Sequence, residues 1–199
     1  MTLNELLAEL EAFGEENDRV QTERPKRMLN ITRDTGQFLA VLVKATASRR
    51  LLEIGTSNGY STLWLAWAAQ EIGGHVTTVE RSEFKVALAR ANFERSGLSH
   101  VITLLQDEAG RVLASGAESS GAEARADFIF LDSERSAYPG WWPHLKRALR
   151  PGGLLVVDNA TSHPQEIAPF VALVEGDEDF TTSLAPVGNG EYLAVKSPR

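Results

Sequence analysis

The alternation of apolar and polar residues predicts five short strands separated by helices. The strands are rich in Val, Ile and Leu, and apolar residues at helical spacing fill most of the intervals between them. They are expected at residues 50–54, 75–79, 101–105, 127–131 and 153–157. Such alternation is typical of a doubly wound parallel sheet with helices on both faces. The fourth and fifth strands are almost wholly apolar, which favours central positions buried on both sides.

The two ends of the chain extend this pattern. Apolar residues recur every three or four positions over residues 3–13, and a second helical pattern covers residues 34–42. Near the other end, residues 180–187 and 191–196 flank a Gly-Asn-Gly turn and predict a β-hairpin. The sequence therefore predicts one α/β domain over residues 1–199, in which a seven-stranded, mostly parallel sheet is closed by an antiparallel hairpin.

Composition argues against a nucleic-acid partner, a thiolate metal site and a membrane span. Of the 199 residues, 43% are hydrophobic and 24% are charged, which is enough for one domain with a substantial core. The net charge of −7 disfavours a nucleic-acid partner, since binding to a phosphate backbone depends on clustered Lys and Arg. The absence of cysteine excludes disulfides and thiolate metal sites. No apolar run is long enough to span a membrane and the first residues show no secretory pattern, so we expect a cytoplasmic protein.

The stretch from Leu51 to Ser61 carries the strongest functional signal. An apolar strand runs into a turn marked by Gly55 and Gly59, and a helical pattern follows at once. Glycine allows a sharp turn and leaves room for a ligand, and a helix start presents free N–H groups to acceptor or anionic groups. Glycine-rich turns also occur in α/β proteins that bind no nucleotide, so the turn alone does not decide the ligand.

Glu80, at the tip of the second strand, narrows the class of ligand. An acid at that position is well placed to accept hydrogen bonds from two ribose hydroxyls. The glycine spacing from Glu53 to Gly59 is E-x-G-x-x-x-G, whereas the dinucleotide fingerprint reads G-x-G-x-x-G. Together these observations indicate a nucleoside-containing cofactor without a pyrophosphate, and they disfavour a nicotinamide oxidoreductase.

Oxygen-bearing side chains end the fourth and fifth strands. Asp132 follows the fourth strand, and Asp158 and Asn159 follow the fifth. Neighbouring strands lie about 4.8 Å apart, and ligands of open α/β sheets bind beyond the carboxyl ends of the strands, so these side chains can converge on one point. Two carboxylates and an amide oxygen suit Mg²⁺ or Ca²⁺. The alternative for Asp158 and Asn159 is that they cap the following helix.

In this order, the motifs resemble those of the class I SAM-dependent methyltransferases, and more narrowly the small cation-dependent O-methyltransferases of the catechol and caffeoyl-coenzyme A group. The resemblance covers roughly residues 25–196. It rests on residues 28–31, 36–39, 53–55, 59–61, 80, 130–138, 150–153 and 158–159. It implies a Rossmann-like fold, S-adenosyl-L-methionine (SAM) as cofactor and a small-molecule acceptor. It also implies that N-terminal helices within residues 1–45 cover the cofactor and substrate side, and it allows a homodimer.

The resemblance further implies a set of cofactor-binding residues. Glu53 and Gly55 are expected to line the methionine end of SAM, with Ser61 on its carboxylate. Glu80 is expected to hold the ribose and Ala109 to border the adenine, while Ile31 and Trp141 close over the cofactor or simply pack in the core. The full set is Ile31, Glu53, Gly55, Thr56, Ser61, Glu80, Arg81, Asp107, Glu108, Ala109, Asp132 and Trp141.

The segment after Asp132 departs from the family pattern. Relatives commonly carry D-x-D-K, in which the lysine is assigned as general base, whereas this chain reads Asp132-Ser133-Glu134-Arg135. Arginine stays protonated at any working pH, so Arg135 is expected to pair with an acidic group or a substrate anion, or to be solvated. Three routes for the acceptor's proton stay open: acidification by the cation alone, His163 as base, or another acceptor. Arg135 and His163 are therefore the candidate catalytic residues, and for His163 the alternative is a surface histidine.

The sequence as a whole predicts a SAM-dependent O-methyltransferase that acts on a hydroxyl of a small, catechol-like molecule. A divalent cation held by Asp132, Asp158 and Asn159 is expected to assist. Two alternatives stay open. One is a metal-independent methyltransferase of the same fold with His163 as base, and the other is a SAM-binding protein without catalytic activity.

Overall fold

A computed structural model describes residues 1–119 and 125–198, and within these ranges it contains seven helices and seven strands. The helices are α1 (Leu3–Val20), α2 (Arg33–Ala45), α3 (Tyr60–Glu71), α4 (Glu83–Ser96), α5 (Ala109–Ser119), α6 (Tyr138–Ala148) and α7 (Pro164–Glu175). The strands are β1 (Arg50–Ile54), β2 (His75–Glu80), β3 (Ile102–Gln106), β4 (Ala126–Leu131), β5 (Leu149–Val157), β6 (Phe180–Ala185) and β7 (Glu191–Lys196). Short 3₁₀ turns lie at Arg24–Lys26, Ser99–Val101 and Arg135–Ala137.

The strands form one sheet in the order β3-β2-β1-β4-β5-β7-β6. β1 to β5 pair in parallel, whereas β7 runs antiparallel to both β5 and β6. This confirms the predicted doubly wound, mostly parallel sheet closed by a hairpin. The strand order reverses between β1 and β4, and a ligand crevice is expected beyond the carboxyl ends of these strands.

The predicted elements occur in the expected order, and the differences lie at their ends. β1 has the predicted bounds. β5 starts at Leu149 rather than at residue 153, because Leu149 pairs with Ala126 of β4 and the pairing register shifts before the next pair, Phe128 and Leu154. α1 continues to Val20 rather than ending at residue 13. At its start, the Thr2 side chain accepts a hydrogen bond from the Glu5 N–H at 3.3 Å, which satisfies one of the free donors of the first turn.

Each face of the sheet packs on its own group of helices. In β4, Phe128 and Phe130 face the cluster formed with α1 to α4, while Ile129 and Leu131 face the cluster formed with α5 to α7. All four side chains are fully buried. Successive side chains of a strand point to opposite faces, so an unbroken apolar strand belongs in the middle of the sheet, as predicted.

The N-terminal helices belong to one of these layers. α1 packs against α3 and α4, and α2 packs along α3. None of the described helices has the length and apolar content needed to cross a bilayer. The expected homodimer stays a prediction.

Asp127 ties the amino ends of three neighbouring strands together. Its Oδ2 accepts hydrogen bonds from the main-chain N–H groups of Arg49 and Arg50, each at 2.8 Å. Its Oδ1 accepts from Arg50 Nη2 at 2.9 Å and from Arg150 Nε at 2.6 Å. Burial alone would raise the pKa of Asp127, but these donors outweigh it and lower the pKa to about 2. The carboxylate therefore stabilises the junction of β1, β4 and β5.

We predict that Asp127→Asn lowers the free energy of unfolding by about 2.5 kcal/mol at neutral pH, since the pKa falls from its ordinary value of 3.8 to about 2 and each pH unit corresponds to about 1.4 kcal/mol. The folded-state pKa lies below the unfolded one, so this stabilisation is present above about pH 4 and is lost as the pH falls towards 2. Urea unfolding at several pH values should show the difference between wild type and variant shrinking over that window. Glu16→Gln, in an exposed ion pair, is the control, and a difference independent of pH would contradict the assignment.

Candidate functional site

Gly55 lets the loop between β1 and α3 pass against the end of β4. Its φ angle is +108°, and a Cβ placed there would lie 1.9 Å from the backbone oxygen of Asp132. The neighbouring strand alone therefore requires glycine at this position, whether or not a ligand binds there. Gly59, just before α3, has φ +89°, and a Cβ there would lie 2.5 Å from the ring of Phe93. Both glycines that the sequence singled out are therefore needed by the packing of the loop.

Glu53 lies beneath this loop and is fully buried. Its carboxylate accepts hydrogen bonds from Ser61 Oγ at 2.6 Å, from Thr78 Oγ1 at 2.6 Å and from Thr62 Oγ1. Burial raises the pKa of Glu53, and the three hydroxyl donors oppose that shift. The arrangement links β1 to β2 and to the first turn of α3. Contact of Glu53 or Ser61 with a cofactor stays a prediction, since in this structure each binds the other.

Glu80 holds its carboxylate between the ends of β1 and β2. Oε2 accepts from the Ser57 main-chain N–H at 3.0 Å, and Oε1 accepts from the Ser82 N–H at 2.9 Å. Each carboxylate oxygen has a second lone pair, so the side chain is fixed in place and can still accept further hydrogen bonds. Glu80 is partly exposed. It has the geometry expected of an acceptor for a pair of ligand hydroxyls.

The segment between α1 and α2 is pinned beside the same loop. Asp18 accepts hydrogen bonds from the N–H groups of Met28 at 2.6 Å and Leu29 at 2.7 Å, and Ser57 Oγ donates to the Met28 carbonyl at 2.6 Å. Ile31, which follows, is buried in the core cluster of α1 to α4. The N-terminal segment thus borders the glycine loop, and core packing accounts for the burial of Ile31.

The remaining predicted cofactor residues follow the ends of β1, β2 and β3 or lie in α6. Arg81, at the end of β2, forms ion pairs with Glu108 at 3.6 Å and Glu134 at 3.8 Å. Trp141 of α6 lies over the first turn of α5, where a Cβ at Gly110 would approach its ring nitrogen to 3.0 Å. Asp107 and Ala109 flank Glu108, and Thr56 hydrogen-bonds Thr78 Oγ1 at 2.6 Å. Contact of these residues with a cofactor stays a prediction.

The predicted cation ligands do come together beyond β4 and β5. The Asn159 side-chain amide contacts Asp158 Oδ2 at 2.7 Å and Asp132 Oδ1 at 3.4 Å. Asn159 has φ +69°, a backbone conformation that asparagine tolerates better than most residues. Burial, followed by the charge of Asp158, raises the pKa of Asp132, and burial also raises the pKa of Asp158. The two carboxylates therefore lie close enough to repel each other.

Glu191, at the start of β7, joins Asp132 and Asp158 in an acidic group, and the sequence analysis did not identify it. It is fully buried, and Thr35 Oγ1 donates to it at 3.0 Å. Burial and then the charge of Asp158 raise the pKa of Glu191 to about 10. With a proton retained at neutral pH, Glu191 is able to donate a hydrogen bond to Asp158. An acid after a Gly-Asn-Gly turn looks like an ordinary surface residue, so nothing in the sequence marks it.

Arg135 and His163 lie at the edge of the acidic group. Arg135 is buried, with Nε donating to Glu166 Oε2 at 2.9 Å. His163 directly precedes α7, is partly exposed, and has its Nδ1 2.9 Å from Ser162 Oγ. The charge of Arg135, and that of His163 when it is protonated, favour the ionised form of Asp158 and so oppose the rise in its pKa. The structure therefore places both candidate catalytic residues near the predicted cation ligands.

Several of the known proteins that match this chain are O-methyltransferases. The O-methyltransferase family model matches residues 4–196. The chain is 30% identical over 131 residues to a catechol O-methyltransferase of Niastella koreensis, which covers 66% of this chain and 58% of that protein. It is 28% identical over 151 residues to caffeoyl-CoA O-methyltransferase 2 of Petunia hybrida, covering 75% and 62%. The matches thus span less than two thirds of the length of these curated relatives.

Solved structures resemble the chain over nearly its whole length. The O-methyltransferase from Bacillus cereus, in complex with SAH, has a TM-score of 0.82 and 26% identity, and the match covers 97% of this chain and 91% of that one. The O-methyltransferase TomG from Streptomyces achromogenes, in complex with SAM, has a TM-score of 0.81 and 26% identity, with coverage of 97% and 90%.

We predict that Gly55→Ala lowers the free energy of unfolding by about 3 kcal/mol or more, because its Cβ would overlap the end of β4. Gly97→Ala is the matched control: it also has a positive φ, of +73°, but no atom lies within 4 Å of its added Cβ. Backbone strain alone should cost that control about 1–2 kcal/mol. Urea unfolding measures both variants, and equal losses would show that the contact with Asp132 does not constrain position 55.

Proposed function

The chain belongs to the O-methyltransferase family, and from that membership we propose that it transfers a methyl group from SAM to a hydroxyl oxygen of a small, catechol-like acceptor with the assistance of a divalent cation. One observation carries the proposal. The loop that leads towards the Glu80 carboxylate touches the end of β4 at Asp132, where the Asp132, Asp158 and Asn159 side chains converge. This contact supports a cofactor crevice and a set of hard oxygen ligands that share one border.

The residues on the cofactor side fit SAM. Glu80 is preset by two main-chain donors and retains lone pairs for two ribose hydroxyls. Two structural relatives at 26% identity are described as complexes with SAH and SAM. SAM supplies a methyl group on a positively charged sulfur, and Asp132, Asp158 and Glu80 give this edge of the sheet several acidic groups suited to a cationic donor.

The acidic group also fits a divalent cation. A single amide group reaches both Asp132 and Asp158, so the three side chains can surround one small ion. In the present arrangement the Asn159 NH₂ faces the carboxylates and its Oδ1 accepts from Ser162 Oγ at 3.0 Å. Rotation of the amide by half a turn presents oxygen instead, which completes the ligand set. No three His, Cys, Asp or Glu side chains in the described residues form a metal site, so the amide is essential to this proposal.

A bound cation would lower the pKa of the acceptor hydroxyl and orient it. The chain's own residues have other tasks. The glycine loop and Glu80 orient the cofactor, the buried surfaces of β4 and β5 support the crevice, and Arg135 contributes fixed positive charge. Arg135 does not accept a proton, because a guanidinium stays protonated at working pH.

A second candidate is a metal-independent methyltransferase in which His163 accepts the hydroxyl proton. The observation that favours it is the position of His163 at the start of α7, partly exposed and near enough to Asp158 to influence its pKa. A neutral imidazole is a suitable base near neutral pH.

We predict that Glu80→Ala weakens SAM binding by about 1–3 kcal/mol, since it removes a charged hydrogen-bond acceptor. Isothermal calorimetry on protein freed of carried-over ligand measures the effect. Glu83→Ala, an exposed acid in the first turn of α4, should leave SAM binding unchanged. Equal affinity of wild type and Glu80→Ala would remove Glu80 from the ribose site.

We predict that removal of divalent cations abolishes methylation of a panel of catechols with labelled SAM, and that added Mg²⁺ restores it. Asp158→Ala should lose this response while still binding SAM, because Asp158 is assigned to the cation and not to the cofactor. Asp179→Asn, an exposed acid near β6, is the control.

Full turnover after complete metal removal would reject the cation and favour the second candidate. His163→Ala should then abolish activity, whereas in the cation mechanism it should change turnover little across pH. Tight SAM binding with no catechol methylated would point instead to a SAM-binding protein without this activity.

A further inference from the structure

Arg135 is a buried cation with an incomplete set of partners. It begins the short turn between β4 and α6, and only 7% of its side chain is exposed. Within the described residues, its one side-chain hydrogen bond joins Nε to Glu166 Oε2 at 2.9 Å. Glu166 lies in the first turn of α7 and its side chain is 54% exposed, so the pair is half in solvent.

The terminal nitrogens of Arg135 are accessible rather than sealed. A guanidinium has five N–H groups, of which the Glu166 contact uses one. Among the described residues, neither terminal nitrogen has a hydrogen-bond partner, and neither belongs to the buried side-chain atoms that lack one. Both terminal nitrogens therefore keep some exposure, although most of the side chain is enclosed.

Arg135 lies at the edge of the sheet where the proposed acceptor site is formed, beyond the carboxyl end of β4. Arg135 follows Asp132 by three residues, and its partner Glu166 lies in the first turn of α7, just after Asp158 and Asn159. Neither carboxylate hydrogen-bonds Arg135 within the described residues. The hydrogen bond from Arg135 lowers the pKa of Glu166, so both members of the pair are charged at neutral pH.

A carboxylate is the partner that suits this guanidinium best. Burial of an unpaired charge costs several kcal/mol, so an open donor group on a buried arginine is expected to meet an anion. The planar fork of two terminal nitrogens matches the two oxygens of a carboxylate. With Nε fixed by Glu166, the fork is already oriented before a ligand arrives.

We propose that Arg135 binds a carboxylate carried by the methyl acceptor, so that the substrate is a catechol-like acid rather than a neutral catechol. The proposal rests on the methyltransferase function proposed above. In it, Arg135 determines specificity and Glu166 is a positioning residue that acts through Arg135.

A matched pair of acceptors tests the proposal: 3,4-dihydroxybenzoate and 3,4-dihydroxybenzamide, which present the same two hydroxyls with and without the charge. We expect wild type to prefer the acid by about tenfold or more in kcat/KM, as for a hydrogen-bonded charge pair. Arg135→Gln should reduce the ratio of acid to amide to about one, and Arg135→Lys should retain part of it because the charge stays but the fork is lost. Comparing ratios within each variant removes the electronic difference between the two rings.

Two further variants sharpen the result. Glu166→Gln should raise KM for the acid while leaving kcat and the amide unaffected, since it loosens the orientation of Arg135. Arg147→Gln, which removes an exposed guanidinium in the last turn of α6, should leave the ratio unchanged. SAH binding checks that each variant is folded, and if Arg135→Gln fails that check, Arg135→Lys decides alone through its reduced ratio.

Binding of both acceptors to the SAH-loaded protein, measured by calorimetry, separates this inference from the proposed function. Arg135-dependent binding of the acid without any methyl transfer would uphold the carboxylate site and reject the activity. Equal use or binding of acid and amide by wild type would overturn the carboxylate site, as would a preference for the acid that survives both Arg135 substitutions. Absence of binding of either acceptor would overturn it too.

Discussion

The close approach of the β1–α3 loop to the end of β4 is the constraint on which the site depends. Position 55 lies so near the backbone oxygen of Asp132 that no side chain fits there. Parallel strands place their carboxyl ends at one edge of the sheet, and this contact brings the loop after β1 directly against the end of β4. The side that positions Glu80 and the side that carries Asp132 are thus held together by main-chain packing. Side-chain bonds then adjust the details.

Most of the side-chain contacts at this edge of the sheet hold acidic groups that lie close together. Glu53 is buried beneath the loop and is accommodated by three hydroxyl donors. Asp132 and Asp158 share the amide of Asn159, and Glu191 next to Asp158 has a pKa raised to about 10. Each acid is therefore stabilised by a different means: neutral donors, a shared amide or a retained proton. An acidic edge of this kind favours cationic ligands, which is consistent with both a sulfonium donor and a divalent cation.

The sheet and the strand-tip residues could be predicted from sequence because their signals are local. Runs of β-branched and apolar residues mark β1 to β5, and Glu80, Asp132 and Asp158 follow directly from where these strands end. Glu191 and the partner of Arg135 could not be predicted in the same way. The first depends on β7 pairing with β5, and the second on α7 packing beside the turn at Arg135. Such contacts join residues distant in sequence, and no local pattern encodes them.

An arginine at position 135 has a different chemical role from a lysine. A lysine can alternate between charged and neutral forms and so can receive a proton, whereas Arg135 contributes charge in every state. A carboxylate on the acceptor would add negative charge beside Asp132 and Asp158, which would make deprotonation of the neighbouring hydroxyl harder. Arg135 would offset that charge where it arises, and the acidity of the hydroxyl would then depend on the cation proposed at Asp132, Asp158 and Asn159. The two proposals are therefore compatible: the fixed positive charge of Arg135 would accommodate the acid, and the oxygen ligands would hold the cation that acidifies the hydroxyl.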